Sequence, residues 1–410
     1  MTATLTADPM TAAAAASAAT NLSQGTALSF IDNDDARIPK VSLHEHLLWS
    51  LSPYAVLRAA AKNKREIPMD RIQGDFFKFK NMADMFLAHD QIRPAITASP
   101  NDYKDALADW LKFQSDKGVM YCEFMFSTQP HGDPDFFAKQ LDAMADAIEA
   151  AEALWGIKAR GILNGIRHHG LDKNHFMLDE FEKHRNRPSA RFITGYGLSG
   201  NECADFPPEI FHDLFARAVD LGLQCTIHSG EVLGPDSIRK AMALPGVKRL
   251  GHGIRSIEDP ELMAEIKQRG ITLEICPTSN LSLLRQYRNS AASPKHKFHD
   301  LSCHPLATLR HSGIQLALGA DDGPWFRTSI SREYRRVAIS FGLSLLETLQ
   351  FTQNGIAAAF VTETERMELF NTYDQRLKEY QADCNELLKK TGASIGGAQI
   401  ARTLLVERQR

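Results

Sequence analysis

His44 and His46 stand two residues apart in Lys40-Val-Ser-Leu-His-Glu-His, at the end of an apolar run. Along a strand alternate side chains share a face, so both imidazoles leave the sheet in the same direction. Groups of similar chemistry close three later runs: His228, His252, and the adjacent carboxylates Asp321 and Asp322. Imidazoles and a carboxylate around an open position suit a catalytic Zn²⁺, which lowers the pKa of a bound water to about 7. Fe²⁺ or Mn²⁺ tolerates the same ligand types. Glu231 follows His228 by three residues in Thr226-Ile-His-Ser-Gly-Glu, where a carboxylic acid can shuttle protons beside that water. Taken singly, each group has a bland explanation. A His-x-His is commonly two polar residues on a strand, an Asp-Asp pair a surface turn, and His252 a hydrogen-bonded loop residue. Their joint placement is what singles them out.

That placement depends on the elements beneath. Strand-like runs cover Lys40–Leu47, Val119–Ser127, Ile157–Arg167, Arg191–Gly200, Gln224–Gly230, Arg249–Gly253, Thr272–Asn280 and Gln315–Asp322. Amphipathic stretches such as Asp105–Lys117, Asp135–Leu154, Pro208–Leu221, Pro260–Arg269 and His304–Ser312 separate most of them. Regular alternation of this kind predicts the α/β class and a (β/α)₈ TIM-type barrel. The candidate groups then fall at the C-terminal ends of the first, fifth, sixth and eighth strands, the face where such barrels place their chemistry. The barrel is expected over residues 38–361, with a helical insertion at 49–101 after the first strand; Phe76–His89 would form part of a lid there. Residues 1–37 read as a loose Ala/Thr-rich tail and 362–410 as a C-terminal helical extension. Thr362 would cap that extension, with Glu365 closing a capping box.

Composition narrows the partners. The chain has 410 residues and a net charge of −3, and its pI is about 6.6. That balance argues against nucleic acid or an anionic membrane surface as a partner. No apolar run approaches the ~20 residues needed to span a bilayer. The first thirty residues lack Lys and Arg, so the basic start of a signal peptide is missing. Six cysteines without a Cys-x-x-Cys pair fit a reduced, cytoplasmic setting. The oligomeric state is left open.

The motifs, taken in order, resemble those of the adenosine deaminase family. They are Lys40-Val-Ser-Leu-His-Glu-His, Gly197-Leu-Ser-Gly-Asn-Glu202, His228-Ser-Gly-Glu231, Arg249-Leu-Gly-His-Gly253, Glu274-Ile-Cys-Pro-Thr-Ser-Asn280 and Ala320-Asp-Asp322. The resemblance spans about residue 38 to 361 and implies a hydrolytic deaminase that releases ammonia from an adenosine-like aminopurine. It implies one Zn²⁺ per chain, ligated by His44, His46, His228 and Asp321. Glu231 would protonate the ring nitrogen beside the attacked carbon, and His252 would orient the hydroxide and stabilise developing charge. Asp322 would bind a nitrogen of the five-membered ring, and the Gly200 N–H one of the six-membered ring.

One departure bears on the substrate. The family usually reads Leu-Asp-Gly after the paired histidines, and that acid binds a ribose hydroxyl. Here Leu47, Leu48 and Trp49 stand there, and Met125 replaces an arginine common on the second strand. Adenine, a 5′-modified or 6-substituted purine nucleoside, or a pterin is therefore an alternative substrate. Ser50 or Ser52 could instead replace the lost acceptor and keep adenosine in place. A two-metal amidohydrolase is less favoured, because the fourth strand ends without the lysine that bridges two metals. A non-catalytic binding protein is disfavoured by the intact ligands and Glu231. Lesser signals are Arg167-His168-His169 at a pocket edge or in a polar loop, and Ser279-Asn280 bonding to the backbone of a loop. Trp325 is expected under the last helix, and Cys225 and Cys276 in the core.

Overall fold

The computed structural model describes residues 35–287 and 300–391. Eight parallel strands form one sheet in sequential order: β1 (Lys40–Ser42), β2 (Val119–Phe126), β3 (Lys158–Ile166), β4 (Ile193–Ser199), β5 (Gln224–Ser229), β6 (Val247–His252), β7 (Thr272–Ile275) and β8 (Leu316–Leu318). The seam between β8 and β1 is drawn together where Glu45 pairs with Asp321 and the Asp321 N–H donates to the His44 carbonyl at 3.1 Å. The architecture is the expected (β/α)₈ barrel. Every residue of β2 is buried, as a strand covered on both faces requires, and this is why the strands read as mostly apolar runs.

Fourteen helices are described: α1 (Pro53–Lys62), α2 (Met82–Ile96), α3 (Pro100–Asp116), α4 (Phe136–Trp155), α5 (Leu171–His184), α6 (His212–Asp220), α7 (Pro235–Met242), α8 (Pro260–Gln268), α9 (Pro277–Tyr287), α10 (Leu306–His311), α11 (Gly323–Phe326), α12 (Ile330–Phe341), α13 (Leu345–Ala358) and α14 (Glu363–Thr391). Their apolar stripes face the sheet; in α6, Leu214, Phe215 and Ala218 are buried. Truncating such a leucine to alanine costs about 2–5 kcal/mol through lost transfer energy and the cavity left behind. Between β1 and α3 lie α1, a short hairpin pairing Ile72–Gln73 with Phe76–Phe77, and α2. The capping box expected at α14 is present: Glu365 N–H donates to Thr362 Oγ1, and Thr362 N–H and Oγ1–H donate to Glu365 Oε2. Most of the expected N-terminal tail and the end of the C-terminal extension lie outside the described residues.

Several expected boundaries shift. β1 ends at Ser42, and the chain continues to Leu47 through isolated pairings, Met125 N–H to Glu45 O at 2.8 Å and Leu47 N–H to Met125 O at 2.9 Å. The fourth run starts as a 3₁₀ turn over Pro188–Phe192 before β4 begins. β7 stops at Ile275 because Pro277 opens α9, so Ser279 and Asn280 are helical rather than in a loop. Trp325 packs beneath the hairpin, stacked on Phe77 with ring centroids 4.6 Å apart, and not under the last helix. Cys225 and Cys276 are buried, and all six cysteines are free thiols. Among the described residues no helix is long and apolar enough to cross a membrane.

Candidate active site

The predicted groups converge at the C-terminal mouth of the barrel. His44, His228, His252 and Asp321 bring ligand atoms within 4.8 Å of one another, as do His46, Asp321 and Asp322. His46 Nε2 lies 3.2 Å from His228 Nε2 and 3.5 Å from Asp321 Oδ1, while His44 Nε2 lies 3.8 Å from that same oxygen. Room for the His44 ring comes from β6, since a Cβ at Gly251 would stand 2.7 Å from its Cε1. His252 and Asp321 adopt left-handed backbone angles, φ 63° and 57°. Such angles cost energy for side-chain-bearing residues and persist where the surroundings demand them.

These groups fit a divalent cation. His44 Nε2 is buried without a hydrogen-bond partner, facing the cluster, and its other nitrogen is engaged: Nδ1 lies 2.6 Å from Glu274 Oε2. Desolvation, followed by the neighbouring histidines, pushes His228 well below the ordinary imidazole range; desolvation with His44 and His89 nearby takes His46 down to about 3. Neutral imidazoles are what metal ligation requires. Glu231 behaves in the opposite sense. Burial, then the charges of Asp321 and Glu202, push its carboxyl well above the usual range, which favours the protonated form. Its Oε1 is unpartnered and lies 3.5 Å from His252 Nε2.

Behind this set stands a ring of supports that the sequence did not assign. Glu274 also accepts from Thr226 Oγ1 at 3.1 Å and pairs with Arg249 Nε at 2.6 Å. Arg249 in turn pairs with Glu123 at 2.5 Å and lies over the Phe360 ring, 3.5 Å from its centroid. Ser279 Oγ donates to Asp321 Oδ2 at 2.6 Å, which is a side-chain contact rather than the expected backbone one. Arg167 is fully buried and donates to the backbone carbonyls of His228 and Phe206, while His168 and His169 line the cavity edge. Glu202 grips the loop that carries Glu231. It accepts the backbone N–H groups of Gly230, Glu231, Val232 and Leu233 at 2.7–3.1 Å and the Ser237 hydroxyl at 2.9 Å. Its presence in the Gly197–Glu202 motif was the available signal; its partners lie 28–35 residues away in sequence.

A cavity of about 280 Å³ opens from this cluster, near the lower edge of the ~300–1,000 Å³ range of small-molecule sites. Gly200, Asp322, Leu48 and Trp49 line it, together with Met125, Phe86 and Phe126. Gly200 has φ 92°, and a Cβ there would come within 2.9 Å of His168 Nδ1, so the backbone lies open to the cavity only because the residue is glycine. Asp322 Oδ1 is buried and unpartnered. The part of the expected lid that reaches the cavity is α2: His89 stacks flat on Trp49, centroids 3.7 Å apart. Neither proposed replacement for the missing acid faces the cavity. Ser50 donates to the Asp321 carbonyl at 3.1 Å, and Ser52 accepts from Ala55 N–H as the N-cap of α1.

The family model for adenosine deaminase matches residues 39–376. The adenine deaminase of Chelativorans sp. (strain BNC1) is 32% identical, over 81% of this chain and 96% of its own length. That of Sinorhizobium fredii (strain NBRC 101917 / NGR234) is 31% identical, over 82% and 98%. Among solved structures, the adenine deaminase from Arthrobacter aurescens superposes with a TM-score of 0.70 at 22% identity, over 83% of this chain and 99% of that one. An amidohydrolase from Burkhoderia ambifaria with bound Zn gives 0.68 at 21%, over 87% and 94%. At these identities the structural likeness speaks to the fold alone. With the motifs, the barrel and the family match in agreement, this chain is a member of the metal-dependent adenosine deaminase family, a hydrolytic deaminase.

Proposed function

We propose that this enzyme hydrolyses the 6-amino group of adenine, or of a 6-aminopurine whose sugar carries no 5′-hydroxyl that the site must read. The observation that carries this reading is the cavity wall formed by Leu48, Trp49 and Met125, with Ser50 and Ser52 committed elsewhere. A buried hydroxyl left without a partner there costs about 1–3 kcal/mol. The similar proteins named adenine deaminase support the same choice. A second reading, a 5′-modified nucleoside, is favoured by the presence of the polar Arg93 and His131 in the cavity lining.

In this reading His44, His46, His228 and Asp321 hold one divalent cation. When bound, the cation supplies a water acidic enough to attack an aromatic carbon at neutral pH. Glu231 delivers its proton to the ring nitrogen beside that carbon, which offsets the loss of conjugation as oxygen adds. His252 orients the attacking oxygen and stabilises its developing charge. The water's first proton restores Glu231, and the amino nitrogen leaves as ammonia after taking the remaining proton of the added oxygen, relayed by the carboxylates, as the carbonyl forms. Asp322 and the Gly200 N–H hold the purine edge so that its amino-bearing carbon faces the cluster. The test is ammonia release, as kcat/KM, from adenine, adenosine and 5′-deoxyadenosine. Adenine or 5′-deoxyadenosine should match or exceed adenosine. A preference for adenosine of about a hundredfold or more over both overturns the reading, because only a site that bonds the hydroxyl discriminates so strongly.

A further inference from the structure

The protons around His252 are ordered by a chain of hydrogen bonds that starts at a backbone amide. Leu306 N–H lies 3.0 Å from His304 Nδ1. A backbone N–H can only donate, so His304 Nδ1 is the acceptor and its ring proton sits on Nε2. That Nε2–H faces the side-chain oxygen of Asn280 at 3.3 Å. With its oxygen so engaged, Asn280 turns its NH₂ toward His252 Nδ1, 3.0 Å away. An amide nitrogen is also a donor only, so His252 Nδ1 must accept, and the proton of its neutral ring lies on Nε2. Nε2 is the atom that faces Glu231 Oε1 at 3.5 Å and has no other partner.

We propose that Asn280, held by His304, is a positioning residue that locks His252 in the Nε2–H tautomer, so that His252 meets the reacting oxygen as a donor. The three side chains are almost fully buried and come from β6, α9 and the turn before α10, so no solvent intervenes to reverse the order. The opposite tautomer would present a lone pair to an oxygen that is gaining negative charge, and the contact would repel. Asn280 differs here from Ser279 beside it, which serves Asp321. Successive residues on the first turn of one helix thus set two different groups of the site. The inference rests on the role proposed for His252, yet its first readout needs no substrate.

The experiment is ¹⁵N NMR of Zn²⁺-loaded, ¹⁵N-histidine-labelled protein, with the His252 signals assigned by their loss in His252→Gln. The expected result in the unaltered protein is a neutral ring protonated at Nε2. Asn280→Asp replaces the donor by an acceptor at the same position and should move the proton to Nδ1. Its kcat should fall about a hundredfold or more, with KM changed no more than a few-fold. Asn280→Leu removes the hydrogen bonds without imposing the wrong tautomer and should lose less kcat than Asn280→Asp, an order that packing loss alone reverses. An Nδ1–H tautomer in the unaltered protein overturns the proposal without any variant. So does an Asn280→Asp protein whose His252 keeps its Nε2 proton. Failure of adenine as a substrate leaves the NMR result standing, so the two claims fail separately.

Discussion

The two sides of the barrel mouth are built on different terms. On the metal side four groups have a dedicated support: Glu274 behind His44, Ser279 behind Asp321, Asn280 behind His252, and Glu202 behind the Glu231 loop. Toward the insertion Leu48, Trp49, Met125 and Phe86 form a wall of apolar contacts without such pairing, and Phe86 and His89 come from α2 outside the barrel repeat. Charged groups held in a dry site must be fixed to within a fraction of an ångström to work, and a change in one supporting residue is felt in the chemistry. An apolar wall tolerates exchange and alters which ligand fits. Under the proposed function, the difference places the chemistry at the supported strand ends and the choice of substrate in the apolar wall shared by β2, Leu48 and the insertion.

Breaking the supported side should have the larger effects. His228→Ala should lose both the bound metal and measurable ammonia release, because three remaining ligands leave the site open. Full metal retention by elemental analysis would remove His228 from the ligand set. Glu231→Gln should keep the metal and the fold while kcat drops by about 10²–10⁴-fold or more, since the amide cannot deliver the proton. Rates within a few-fold of the unaltered enzyme would mean that another acid serves the ring. Glu202→Ala frees four backbone N–H groups of the Glu231 loop and should cost about 10–100-fold in kcat with the metal still bound. Loss of thermal stability with kcat unchanged would make Glu202 a structural brace only.

The unsupported side sharpens the comparison through ratios. Leu48→Asp restores an acceptor at the wall and should raise the preference for adenosine over 5′-deoxyadenosine about tenfold or more. Its kcat/KM for adenine should stay within a few-fold. Equal losses on all three substrates would place Leu48 in the chemistry and erase the distinction between the two sides.

The legibility of the sequence follows the same division. The strands could be read because burial on both faces leaves largely apolar runs such as Val119–Phe126, broken only by Glu123, and the groups at their ends followed from the barrel itself. His44 and His46 were visible as a two-residue repeat. The partners of Asn280, and His304 altogether, were not, since their meaning depends on a helix start at Pro277 and on contacts 24–28 residues apart. The Arg249 pairing with Glu123 spans 126 residues and leaves no local pattern at all. Even Glu202, inside a quoted motif, gained its role only when four amides of a distant loop were seen to converge on it. Local periodicity reports an element's own burial, whereas a support is defined by what it touches across the barrel.

The central claim, a single-metal deaminase acting on adenine, is tested most directly by one titration. Protein stripped by a chelator is given Zn²⁺ in steps, and ammonia release from adenine is followed against metal added per chain. The account predicts no activity at the start, a linear rise, and a plateau at one equivalent. Activity in the stripped protein, or a plateau that arrives only at two equivalents, would contradict it.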